Sequence, residues 1–139
     1  MEVYRITDRS EEEAAASPFY AGTVGVQVLR TSVNDGIEVR LMRFGPGSRS
    51  RPNVCSTGRL VHVVAGEAVV AGQDVRVVVG PGDCVEIPAG EWHWHGGLPH
   101  VPAVILVVER PANVSWNVPA GDWADGYDGA APPEGGRAT

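Results

Sequence analysis

The chain has 139 residues, 43% of them hydrophobic, and a net charge of −6 at neutral pH. That is enough for one domain with a core, and the charge gives nucleic acid no electrostatic hold. All 11 basic residues are Arg, which excludes Schiff-base chemistry on a lysine, and Cys55 and Cys84 are too few to staple a small secreted domain.

In chain order, Ser10 followed by Glu11, Glu12, Glu13 and three alanines reads as a capping box. It would open a short helix within an N-terminal arm spanning residues 1–17. The opening stretch lacks the basic-then-apolar order of a secretion signal. No apolar run reaches the ~18 residues of a membrane span, so a cytoplasmic protein is expected. From Thr23 the pattern changes to short β runs punctuated by Gly and Pro: TVGVQVLR, IEVRLMRF, RLVHVVAG, AVVAG, VRVVV, CVEIP and VPAVILVVE. Strands of this length separated by turn signals, without intervening helices, predict an all-β sandwich or barrel over residues 18–123. Cys84, inside one of these runs, reads as a small buried apolar residue. Residues 124–139 are rich in Gly, Pro and Ala and cannot offset their ordering entropy, so this tail is expected to be mostly disordered.

Two segments carry the chemistry. Residues 46–66 read PGSRSRPNVCSTGRLVHVVAG and residues 80–95 read GPGDCVEIPAGEWHWH. Pro46-Gly47 closes one strand, Gly66 turns a hairpin, and Gly80-Pro81-Gly82-Asp83 makes a tight turn before a strand ending in Ile87-Pro88-Ala89-Gly90. Together the segments resemble the two motifs of the cupin superfamily. With Phe19–Val24 and Val114–Trp116 at the flanks, the chain resembles small single-domain bacterial cupins. That subgroup includes manganese hydroxynitrile lyases and cupins associated with carboxymuconolactone decarboxylases. The resemblance implies a jelly-roll β-barrel. It also implies metal-ligand positions, since the family's first motif supplies His-x-His and then Glu or Gln four residues on, and the second supplies a further His. Asn53, Cys55 and Arg59 stand at the first three positions, and only His93 matches. Ile105 stands where another His often follows.

Side chains alternate along a strand, so Arg51, Asn53 and Cys55 are expected on one face, and His93 and His95 on one face. Arg59 would lie beside them with Val61 and Val63 below it, and Arg51 at the mouth of the same cavity. Trp92 and Trp94 would face the opposite way, and His62 and His100 would lie outside. Arg40 shares its parity with Met42 and Phe44 and either lines the cavity or stands exposed.

This cluster has two chemical readings. Zinc, manganese or iron could sit on Cys55, His93 and His95. A permanently charged Arg59 opposes a dication, and Asn53 is a poor replacement for imidazole. In the alternative, Arg59 replaces the cation and grips a carboxylate or enolate. His93 then acts as general acid or base, and Cys55 is a nucleophile or a hydrogen-bonding wall. Asn53, Arg51, His95, Arg40, Ile105 and Val61 would contact the substrate. A purely structural alternative pairs a buried Arg59 with Glu86.

The leading expectation is a metal-independent enzyme without cofactor. It would catalyse a non-oxidative proton transfer (lyase, dehydratase, isomerase or cyclase) on a small anionic or enolisable molecule, such as a polyketide-like metabolite. The alternatives are a metal-dependent cupin and a non-catalytic module that binds an anionic metabolite. The partners expected are a small molecule and a second copy of the chain, because open sheet edges need covering.

Overall fold

Runs rich in Val, Ile and Leu form strands because branched apolar side chains fit a pleated surface with at least one buried face. A computed structural model describes residues 1–14, 18–31, 36–121 and 123; the tail from residue 124 lies outside them. In chain order the strands are β1 (Glu12–Glu13), β2 (Tyr20–Ala21), β3 (Val24–Arg30), β4 (Glu38–Phe44), β5 (Arg49–Ser50), β6 (Val54–Cys55), β7 (Arg59–Gly66), β8 (Ala68–Gly72), β9 (Arg76–Val79), β10 (Cys84–Ile87), β11 (His93–Gly97), β12 (Ala103–Glu109) and β13 (Val114–Ser115). They assemble into a six-stranded sheet, β1-β3-β4-β12-β7-β10, a five-stranded sheet, β2-β5-β11-β8-β9, and the pair β13-β6. Every recorded pairing is antiparallel.

The two sheets enclose one core. Met42 and Phe44 from β4, Val61 and Val63 from β7, and Ile105 and Val107 from β12 meet Ala68, Val70 and Val79 of the other sheet, all buried. Each of these side chains apart from Ala68 contributes roughly 2 kcal/mol of hydrophobic free energy. A second cluster lies on the opposite face of the five-stranded sheet, where Trp94 packs with Val69, Ala71 and Trp123. Trp94 therefore faces away from His93 and His95, as alternation requires.

Three expectations are corrected here. The helix predicted from Ser10 does not form: Glu12 and Glu13 pair with Val26 and Gly25 of β3, and the helical structure nearby is a single 3-10 turn, Ile6–Asp8. A short helix must overcome costly nucleation, whereas β3 offers a ready row of ladder partners. Gln27 reinforces this course by donating through Nε2 to Arg9 O at 2.9 Å. Gly66 does not turn a hairpin, since β7 and β8 belong to different sheets; it forms the corner between them. Its φ is +72°, and an added Cβ would lie 1.9 Å from Pro102 O, so glycine is needed on both counts. Cys84 is exposed, not buried, because it lies on edge strand β10 opposite His62. Among the described residues no helix is long and apolar enough to cross a membrane.

Candidate active site

The two motifs meet at one pair of residues. Asn53 and His93 form an antiparallel bridge, with Asn53 N–H donating to His93 O at 2.9 Å and His93 N–H donating to Asn53 O at 3.1 Å. Cross-strand partners share a face, so both side chains point inward, and both are buried. Each is fixed by a backbone carbonyl. Asn53 Nδ2 donates to Arg51 O at 3.1 Å, leaving Oδ1 buried and unpartnered. His93 Nδ1 lies 2.9 Å from Glu91 O; a carbonyl oxygen only accepts, so the proton is on Nδ1. The lone pair is then on Nε2, also buried and unpartnered.

His95 lies one inward position further along β11. Its ring stacks on His93 with centroids 6.1 Å apart and meets Phe44 edge-on at 5.6 Å, and neither ring nitrogen has a partner. Burial holds both imidazoles neutral. It pushes His93 down to about 4, opposed by the Glu91 carbonyl bond and assisted by the charge of Arg59. It pushes His95 well below its ordinary value, assisted by His93, Arg59 and Arg40.

Beside this pair runs a charged ladder across three adjacent strands. Arg59 on β7 is 7% exposed, and its Nε lies 3.2 Å from Glu109 Oε2 at the end of β12. Glu109 Oε1 accepts from Arg40 Nη2 of β4 at 2.8 Å, and Arg40 Nε lies 3.2 Å from Glu38 Oε1. The Arg59–Glu109 contact is close but not aligned as a hydrogen bond, and Arg59 Nη2 is buried without a partner. Cys55 Sγ sits 3.4 Å from Gly58 O and 3.8 Å from Glu109 Oε2, both acceptors, so the thiol serves as a donor. Tyr20 completes the group: burial raises its phenol, and the charges of Arg40, Arg59 and Glu109 act on it.

A family match shows where the chain belongs. The cupin domain family matches residues 40–109, which is half of the chain and includes both motifs. The chain belongs to the cupin family. No curated protein matches the sequence. Among solved structures, a cupin-like protein from Thermotoga maritima is 23% identical with a TM-score of 0.76, covering 97% of this chain and 99% of its own. The polyketide cyclase RemF from Streptomyces resistomycificus is 23% identical with a TM-score of 0.70, covering 88% of this chain and 89% of its own. KdgF from a Halomonas species is 14% identical with a TM-score of 0.66, covering 81% of this chain and 96% of its own. At these identities the likeness concerns the fold.

The site residues of this cupin do not fit the metal that the family resemblance implies. Among the described residues no three His, Cys, Asp or Glu side chains come together as a metal-binding group. Cys55 Sγ is engaged with Gly58 O and Glu109 Oε2. Arg59 already disfavours a proton on either imidazole, and a dication there meets the same field doubled.

The structure brings together His93, His95, Asn53, Arg59 and Cys55, with Ile105 and Val61 buried in the adjoining core and Arg40 at the rim. Arg51 is not part of the group. It is exposed, with its guanidinium 4.7 Å from the Trp123 ring centroid on the outer face of the sheet. Pro52 interrupts the alternation that placed Arg51 beside Asn53. The partner of Arg59 is Glu109 and not Glu86, which lies opposite Leu60 on the outward parity of β7. Glu109 shares the parity of Ile105 and Val107, so alternation along β12 was a usable signal for it. Tyr20 carried no comparable signal, because β2 is two residues long.

Proposed function

We propose that this cupin is a metal-independent enzyme catalysing a non-oxidative proton transfer on a small, partly hydrophobic, anionic or enolisable molecule. The observation that carries the proposal is the His93 imidazole, neutral, fixed in its Nδ1–H form by Glu91 O, with a buried free lone pair on Nε2. Nε2 takes a proton from a substrate carbon adjacent to a carbonyl. The negative charge moves onto the carbonyl oxygen, which the unpartnered Nη2 of Arg59 stabilises as it develops. The proton then returns at another carbon (isomerisation), or a leaving group departs (lyase or dehydratase), or the carbanion attacks a second carbonyl within the molecule (cyclase). An anion on Arg59 also cancels part of the field that keeps His93 weakly basic, so substrate binding strengthens the base. Cys55, its one S–H within reach of Gly58 O and Glu109, acts as a wall of the site and not as its nucleophile.

The replacement of three family ligand positions by Asn53, Cys55 and Arg59 supports chemistry without metal, in the manner of a small bacterial cupin whose ligand set has degenerated. The fold shared with a polyketide cyclase makes polyketide-like chains of secondary metabolism the first substrates to try. A cytoplasmic homodimer belongs to the same reading: β10 is an open sheet edge, and Leu60 and Val64 are exposed on the neighbouring β7. Turnover of enolisable acids by wild type, His93→Gln and Arg59→Met tests the proposal. Loss of turnover by at least about 100-fold in His93→Gln, with substrate affinity retained, is expected. An active His93→Gln variant refutes the assignment of the base, and affinity without turnover in every variant, wild type included, makes the protein a binding module.

A further inference from the structure

The side chains of Asn53 and His93 do not satisfy one another. Asn53 Nδ2 gives one of its two N–H groups to Arg51 O and His93 Nδ1 its only N–H to Glu91 O, while Asn53 Oδ1 and His93 Nε2 are buried acceptors without a partner. The two residues are a hydrogen-bonded antiparallel pair, which places their Cα atoms about 5.5 Å apart and their side chains on one face. Two adjacent buried acceptors require a partner that donates. A buried acceptor left without one loses its hydration with nothing in return. A dication would also bring lone pairs together, but the field of Arg59 opposes it. Arg59 Nη2, in contrast, is a donor without a partner, and it calls for an acceptor on the ligand.

We propose that Asn53 is a specificity-determining residue that selects a hydroxylated acid. The ligand O–H donates to Asn53 Oδ1, next to the proton that His93 takes, while an acid or carbonyl oxygen of the same molecule lies on Arg59. The Arg59 end rests on the function proposed above; the Asn53 end stands on its own geometry. Acids without a hydroxyl group leave Oδ1 unsatisfied and bind less tightly. An Asp at position 53 would keep the acceptor but add a negative charge facing the acid.

Calorimetric titration of the full chain with benzoate and with 2-, 3- and 4-hydroxybenzoate tests this. Wild type is expected to bind the best hydroxybenzoate isomer about five- to tenfold more tightly than benzoate, the worth of one hydrogen bond. Asn53→Leu is expected to bind both equally, and Asn53→Asp to keep the preference at lower overall affinity. Thermal melting confirms that each variant is folded. No preference among the isomers, a preference that survives Asn53→Leu, or no binding of any of the four acids overturns the proposal. Zinc binding that Asn53→Leu abolishes also overturns it, by assigning the acceptors to a metal. If Arg59→Met leaves all affinities unchanged while the hydroxyl preference persists, the Arg59 clamp fails and the Asn53 inference stands.

Discussion

His93 shows how far one side chain's surroundings set its chemistry. Burial is the largest cause of its low basicity, the Glu91 carbonyl bond opposes it, and Arg59 adds to it, leaving the group at about 4. Its ordinary value is 6.5, so between these two values the unfolded chain binds the proton and the folded chain does not. Stability from this residue is therefore fully present above pH ~6.5 and is lost as the pH falls toward ~4, with no further loss below. The shift corresponds to roughly 3 kcal/mol across that window, and His95 acts in the same direction. Urea midpoints at pH 7.5 and pH 5 are expected to differ less in His93→Gln than in wild type. An unchanged difference would contradict the neutral buried imidazole.

Strand β12 owes its role to the residue at its end. Lying between β4 and β7, it places Glu109 where one carboxylate meets both Arg40 and Arg59. Removing that carboxylate strands the buried Arg59 and leaves Arg40 with Glu38 alone, whereas removing Arg59 leaves Glu109 still bonded to Arg40. Glu109→Gln is expected to cost about 3 kcal/mol and Arg59→Met about 1 kcal/mol or less, by denaturant unfolding. Equal costs would mean that the ladder is not the counterion system described. The longer strands were legible as runs rich in Val, Ile and Leu bounded by Gly and Pro, and the shared parity of His93 and His95 followed from the two-residue period of a strand. The N-terminal strand was not legible: Ser10 and the glutamates carry a strong local helix signal, and the edge of β3 that overrides it is a tertiary feature. Arg51 failed for a local reason, since a proline at position 52 breaks the period on which the inference depended. Glu109 could have been placed by counting from Ile105, but only the fold brings it across to Arg59.

At the scale of the whole molecule, two antiparallel sheets turn their apolar faces toward each other and reserve one region of the interior for polar groups. The cupin fold supplies the positions, through a corner at Gly66 that carries the chain from one sheet to the other and a bridge that sets Asn53 against His93. Those positions hold a guanidinium, an amide and a thiol beside two imidazoles. The site is expected to work through the positive charge of Arg59 without a bound cation. The most direct test is elemental analysis of protein purified without chelator or metal-affinity resin, before and after incubation with excess zinc, manganese and ferrous iron. Well below ~0.1 metal equivalents per chain is predicted in both samples. Close to one equivalent, lost in His93→Ala or Cys55→Ala, would contradict the account and make this cupin a metalloenzyme.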